Sequence, residues 1–513
     1  MPNWFASITN RPSMNNHRYQ ILTMKTLHPF FARPLPLGLA LAAAVAALAG
    51  CSMIPTYERP AAPVAASFPA YSSAQARAAA DALPASSVAW QDFFSDAKLK
   101  RLIALSLKNN RDLRVAVLNI EQARAQYQIR RADQLPTLNG ALMGSRAPDA
   151  KGGISSVYNV GLAVTAYELD FFGRVSSLKE AALAQYLATE EGRKTAQISL
   201  IAAVANTYLS ILADEELLDL TRQTLATRQE SLKLSRLRFD SGVTSELDFR
   251  QAESLLEAAR VAYAQQQRQR ALDENALTLL VGQPLAGELP VGPSISLVQA
   301  RLMADVPAGL PSELLTNRPD IRQAEQLLLA SNANIGAARA AFFPRISLTV
   351  GAGSASGHLS GLFESGSWGW TMAPQLLLPI FDSGRNQAGL ESAKVGRDIA
   401  IAQYEKAIQT GFREVADALA TRATLAGQLQ SQQRQANAET VRFKLSDLRY
   451  QNGIASYLDL LDAQRSLFTA QQAVVQTRLA QLQSQVTLYK TLGGGWKEAG
   501  EVVTPSPPKP ARN

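Results

Sequence analysis

The stretch Arg238-Phe-Asp-Ser-Gly242-Val243-Thr-Ser245-Glu-Leu-Asp248 returns later as Arg449-Tyr-Gln-Asn-Gly453-Ile454-Ala-Ser456-Tyr-Leu-Asp459. Arg, Gly, Ser, Leu and Asp recur in register at an offset of 211 residues. Each copy lies between two long segments rich in Ala, Gln, Leu and Arg and reads as a tight turn joining two helices. The glycine can adopt the left-handed conformation that ends one helix, and the serine can cap the next by accepting from an exposed backbone N–H. One such turn is an ordinary helical hairpin. Two in register make a duplicated device, and most of the chain must fold as two copies of one unit.

The rest of the repeat supports this. Asn109-Asn-Arg-Asp112-Leu-Arg114 matches Asn317-Arg-Pro-Asp320-Ile-Arg322, and Leu135-Pro136-Thr-Leu138 matches Phe343-Pro344-Arg-Ile346, both at an offset of 208; from Gly173-Arg174 and Gly384-Arg385 onward the offset is 211. Before each proline the pattern has a helical period, and proline stops it. After it the pattern alternates. Ile346, Leu348, Val350 and Ala352 share one face against Ser347, Thr349, Gly351 and Gly353, followed by Trp368, Trp370 and Met372 against Gly369, Thr371 and Ala373. The first copy places Tyr158, Val160, Leu162, Val164 and Ala166 on one face. Period two with small or polar residues opposite suits a membrane strand between lipid and water, and equally a half-buried hairpin on a soluble core.

Past the Gly-Arg pairs, Val204, Ile211, Leu218, Leu225, Leu232 and Phe239 recur every seven residues. The second copy repeats the seam as Val415, Arg422, Leu429, Ala436, Phe443 and Tyr450. A sustained heptad predicts helices packed side by side with coiled-coil geometry. Two shorter helices in each copy, 109–133 with 245–281 and 317–341 with 454–491, would together nearly match the long one.

The leader supplies the compartment. Met24-Lys-Thr-Leu-His is followed by the apolar run Leu35 to Ala49 and then Leu48-Ala-Gly-Cys51, a positive n-region, a short h-region and small residues at a cleavage point, with Met1 and Met24 both open as the start. Residues 52–90 are Ala/Pro/Ser-rich and read as an extended arm. Chemistry is scarce in the remainder: Cys51 is the only cysteine, and His17, His28 and His358 are the only histidines. That disfavours His/Cys metal sites and Ser-His or Cys-His nucleophiles, so no cofactor, metal or catalytic residue is expected. The net charge of +8 is dispersed as interspersed Arg and Glu, which reads as solvated helix faces and offers no nucleic-acid patch.

Four strands cannot close a barrel, and an open sheet edge is forbidden in a bilayer, so several chains must pool their hairpins. Leu-Ala-Gly-Cys51 resembles a bacterial lipobox. Together with the duplicated Pro-strand-strand-Gly-Arg unit, Tyr167-Glu-Leu-Asp-Phe-Phe-Gly-Arg174, Pro379-Ile-Phe-Asp-Ser-Gly-Arg385, Phe412-Arg-Glu-Val-Ala-Asp-Ala-Leu419, Leu458-Asp-Leu-Leu-Asp-Ala-Gln-Arg465 and Leu492-Gly-Gly-Gly-Trp496, it makes the chain resemble the TolC-like outer-membrane factors. The resemblance is closest to the OprM/NodT branch of efflux lipoproteins. It implies a membrane α+β fold, a homotrimer with a twelve-stranded β-barrel continued by a long periplasmic α-helical barrel.

The organisation expected is a signal peptide at 1–50, a lipidated arm at 51–95, a first repeat at 96–282 with its β-hairpin at 137–168, a linker at 283–316, a second repeat at 317–496 with its β-hairpin at 345–380, and a disordered tail at 497–513. The resemblance also implies lipid on Cys51 and an outer-membrane location. Its partners would be a periplasmic adaptor and an inner-membrane pump of the resistance-nodulation-division type. Carried over, Gly242, Val243, Ser245, Gly453, Ile454 and Ser456 contact the adaptor, although they could merely shape the turn. Asp447 would ring a narrow periplasmic gate with Phe443 or Leu445 as an apolar ring, or else sit solvated or pair with Arg449. Trp368 and Trp370 suit a headgroup-level aromatic position or packing between subunits. The function expected is a passive duct for multidrug efflux. Rivals are a duct for metal ions or for type I protein secretion and, from another class, a structural coiled-coil envelope lipoprotein; an envelope enzyme fits least.

Overall fold

The computed structural model describes residues 52–69, 85–148, 152–285, 297 and 311–497. The leader 1–50, Cys51, most of the linker and the tail beyond Lys497 lie outside the described residues. After the arm come short helix α1 (Trp90–Phe93), α2 (Ala97–Asn109) and α3 (Arg111–Ala132), then strands β1 (Leu138–Pro148) and β2 (Ile154–Leu169), the long helix α4 (Arg174–Asp240) and its return α5 (Glu246–Val281). The second copy runs α6 (Pro311–Asn317), α7 (Pro319–Ala340), β3 (Arg345–Ser356), β4 (Trp368–Leu377), α8 (Arg385–Gln451) and α9 (Tyr457–Thr491). Helices α4 and α8 have 67 residues each, which at 1.5 Å per residue is about 100 Å.

Each long helix starts after a left-handed glycine, Gly173 at φ 71° and Gly384 at φ 84°. One stretch of α4 is apolar enough, by composition, to cross a bilayer, but two-thirds of it is buried inside the protein (67%). It is core, because Val204, Ala205, Tyr208, Leu209 and Ile211 pack with Phe93, Phe94, Leu99, Leu102, Ile103, Val415 and Tyr489 in one cluster. Phe93 stacks on Tyr489 at 3.9 Å between centroids, and the Tyr489 hydroxyl donates to the Val88 carbonyl at 2.6 Å. The heptad seam is therefore not uniform. Val204 and Ile211 are fully buried, whereas Leu225 and Leu232 are half-buried and Phe239 is exposed, because near the tip a lone chain has too few helices to cover the stripe.

The duplication is visible as equivalent contacts. Asn110 Nδ2 donates to the Leu280 carbonyl at 2.9 Å; its counterpart Arg318 donates from Nη1 to the Thr491 carbonyl, also at 2.9 Å. In each copy the residue that opens one short helix ties off the end of the other, and so holds the two short helices end to end beside the long one.

The four strands form one antiparallel sheet in the order β1-β2-β3-β4. The repeats meet at β2 and β3, with Gly161 opposite Gly353. A Cβ on Gly353 would fall 2.2 Å from the Val160 carbonyl oxygen, and one on Gly161 would fall 2.4 Å from that of Ala352, so the two backbones approach where only glycine fits. The alternation read for β2 holds through Val164 and fails at Ala166. There the register shifts between Val164 and Tyr167, with Ala166 at φ 51°. This bulge inserts a residue and reorients the strand end, so Tyr167 donates to the Gln134 carbonyl at 2.9 Å.

Candidate functional site

At the far end of the helices the two tips have the same geometry. In the first, Val243 N donates to Arg238 O at 2.8 Å and Gly242 N to Phe239 O at 2.9 Å; in the second, Ile454 N donates to Arg449 O at 2.8 Å and Gly453 N to Tyr450 O at 3.0 Å. This is the paired closure of a helix through a left-handed residue, and Gly242 and Gly453 sit at φ 72° and 73°. Nothing crowds either glycine, so it is the backbone sign that demands it. The next helices begin with reciprocal capping boxes, Ser245 with Asp248 and Ser456 with Asp459. Both serine hydroxyls are therefore occupied in holding the turn. Val243 and Ile454 are left standing out, 72% and 69% exposed. The result is an apolar knob on a turn whose neighbouring polar groups are already paired.

The three residues named for the gate do not share a face. Phe443 packs with Leu232 and Tyr450 against a small core of Ala252, Leu255, Tyr457, Leu460 and Leu461. Leu445 lies two residues on, roughly 200° round the helix, and is exposed. Phe443 thus takes part in the chain's own packing, whereas its alternative Leu445 is left exposed. Asp447 accepts from Gln451 Nε2 at 2.8 Å, one turn away. Two contacts near the tip escaped sequence reasoning. Arg238 lies over the Tyr450 ring at 4.7 Å and joins the ends of α4 and α8; Arg442 bridges to Asp462, Glu439 and Ser466 and joins α8 to α9. The repeat aligns Arg238 with Arg449 and Phe239 with Tyr450, yet the contact is crosswise, arginine of one copy on the aromatic of the other.

At the opposite end, among the described residues, β1 and β4 each have one unpaired edge. The helices are equally incomplete. Helix α7 packs between α4 and α8, whereas its counterpart α3 packs on α4 alone and leaves Val115, Leu118 and Ile129 exposed. Val395 and Ile399 of α8 are exposed too. A neighbouring copy whose α8 lies against α3 while its β4 pairs with β1 repairs both defects at once. Trp368 and Trp370 project from the end of β4 remote from the helices, 69% and 67% exposed.

The arm lies along α7. Met53 O accepts from Arg339 at 3.3 Å, Pro55 O from Asn332 at 2.8 Å, and Glu325 accepts from Tyr57 and from both ends of the Arg59 fork. Arg339 is one residue from the end of α7, which leads straight into β3, so the arm starts beside the barrel and runs away from it.

Midway along the helices Asp214, almost fully buried, meets Asp273 across the α4–α5 seam, with Gln266 donating to Asp214 Oδ1 at 2.7 Å. Arg270 pairs with Glu215 and Glu274 beside them. Burial first, then Asp273, pushes the Asp214 carboxyl up to about 7 against the pull of Gln266 and Arg270. A raised folded-state acid costs stability as pH rises from the unfolded value near 4 through 7. Asp273→Asn, which can donate to Asp214, should therefore raise the temperature of trimer dissociation at pH 8 and leave it unchanged at pH 4.5. Equal curves for the two proteins at both pH values would remove the account.

Comparison with known proteins bears on all of these features together. The pattern of the family described as outer membrane efflux protein matches residues 102–283 and 310–494. The chain is 49% identical over 470 residues to the probable efflux pump outer membrane protein TtgC of Pseudomonas putida, covering 90% of this chain and 96% of that one. It is 46% identical over 464 residues to the outer membrane protein OprJ of Pseudomonas aeruginosa, covering 89% and 95%. The crystal structure of the open state of the Neisseria gonorrhoeae MtrE outer membrane channel superposes with a TM-score of 0.79 at 43% identity, covering 87% of this chain and 99% of that one. The two free sheet edges and the half-covered α3 find their explanation in a trimer whose twelve strands and packed helices enclose one bore, and this chain belongs to the outer membrane efflux protein family.

Proposed function

We propose that the trimer is the passive outer duct of a tripartite multidrug exporter, that its helical tips dock a periplasmic adaptor, and that an inner-membrane pump of the resistance-nodulation-division type supplies the energy. Relatives named as antibiotic and toluene efflux pump proteins favour small apolar or amphipathic cargo. The observation that carries the docking reading is the pair of apolar knobs, Val243 and Ile454, raised on turns that have already satisfied their own polar groups. Such a knob contributes binding only by entering a partner's pocket. Replacing both by Asp should leave trimer abundance normal and return drug accumulation to that of a gene-deletion strain. Normal efflux by that double variant would rule out docking through these side chains.

Cys51 is proposed to carry lipid. The course of the arm supports this, since residue 53 sits beside the helix that enters the barrel, so the described part of the arm begins at the membrane end of the protein. Cys51→Ser should abolish incorporation of labelled palmitate while the barrel still inserts; retention of label on the variant would refute the assignment.

A further inference from the structure

Between α4 and α9, with Phe443 of α8 at its edge, lies a cavity of about 170 Å³. Its walls include Arg228, Gln464, Thr224, Thr227 and Phe468. Arg228 is only 6% exposed. Its Nη1 donates to the Leu255 carbonyl at 3.0 Å and its guanidinium lies 5.5 Å from the Phe468 ring centroid, but its Nε is buried with no hydrogen-bond partner. Among the described residues no carboxylate pairs with it. The other charge it feels is that of Arg465, of the same sign, and burial followed by this repulsion lowers its pKa. Buried cations are ordinarily paired, because an uncompensated one costs several kcal/mol.

We infer that this cavity binds a small monovalent inorganic anion, chloride being the type, held by Arg228 and Gln464. Gln464 is 9% exposed, its Nε2 makes only a 3.4 Å contact to Ser231 Oγ, and its Oε1 is buried without a partner. Turning that amide over lets Oε1 accept from Ser231 and leaves the NH2 for the anion. Charge and donor number set the class of ligand. The Thr224 and Thr227 hydroxyls already donate to Leu220 and Gln223 carbonyls of their own helix, so few donors are free, and a sulfate or phosphate would be left short of partners. Water could satisfy the two orphan atoms but would leave the positive charge uncompensated. Bound there, the anion would tie α4 to α9 and α5 at a level where the apolar seam is already thinning.

The test uses the full-length trimer in detergent. Its dissociation temperature in sodium chloride should exceed that in sodium gluconate of equal ionic strength by about 2–4 °C. The difference should vanish in Arg228→Gln and persist in Arg250→Gln, a substitution at an exposed arginine. If Arg228→Gln fails to assemble, crystals of the unaltered protein grown in sodium bromide decide the matter through an anomalous peak within about 3.5 Å of Arg228 Nε. Identical temperatures in the two salts, or a bromide map empty at this cavity, would overturn the inference.

Discussion

Arg318→Met should lower trimer stability by about 1.5–3 kcal/mol, the cost of losing charge-assisted hydrogen bonds from a buried guanidinium to two carboxylates that are about a third exposed. Arg318 is 6% exposed and stands where α6 gives way to α7. Its guanidinium donates twice to Asp320, at 3.0 and 2.6 Å, to Glu414 at 2.8 Å, and to the Thr491 carbonyl at 2.9 Å. Three helices, α7, α8 and α9, converge on this one side chain, while its backbone N–H closes α6 on the Leu314 carbonyl. Methionine fills much of the volume but leaves Glu414 and a helix-end carbonyl without this donor, and Asp320 with only the Ile321 N–H. Lysine would keep the charge while losing the planar fork, so Arg318→Lys should recover only part of the loss. The measurement is the temperature at which the trimer dissociates, for all three proteins. A methionine variant melting within a degree of the unaltered protein would show that the cluster is incidental.

Gly353→Val should reduce the trimer recovered from the outer membrane at least tenfold, the estimate following from the several kcal/mol that each unpaired backbone group costs in lipid. The Cβ alone would overlap the Val160 carbonyl oxygen and the Gly161 Cα, at 2.2 and 2.6 Å. Both are backbone atoms of the partner strand and cannot rotate aside, so β2 and β3 must separate. Among the described residues these strands form the one sheet contact between the two repeats within a chain, and parting them opens the barrel wall within each subunit. A yield equal to that of the unaltered protein would mean that the close approach at Gly161 and Gly353 is dispensable.

The tips show how the two sources of information divide. Glycine, serine and aspartate at fixed spacing specify their own turn, since a left-handed helix end and a capping box involve only neighbours in sequence. The strands were legible for a similar reason: Pro136 and Pro344 end a helix locally, and a period of two needs no knowledge of what lies across the sheet. The bulge at Ala166 was not, because Val164-Thr-Ala-Tyr167 keeps the alternation on paper. Only pairing with β3, where Thr349 accepts from Ala166 N at 3.1 Å, shows the slip. Phe443 and Leu445, the two alternatives for an apolar ring, are likewise indistinguishable in sequence until α4, α5 and α9 are packed against α8.

Taken alone, then, the sequence established the duplication, the long helices, the four strands and the need for several chains, all of which follow from short-range stereochemistry and from the ban on unpaired backbone in lipid. Tertiary structure alone decided which side chains meet. Arg238 on Tyr450, Asp214 against Asp273, Arg318 at a crossing of helices and Arg228 beside its cavity join residues tens to hundreds of positions apart. Their partners depend on helix rotation and register, and one residue of drift in a heptad turns a side chain by about 100°.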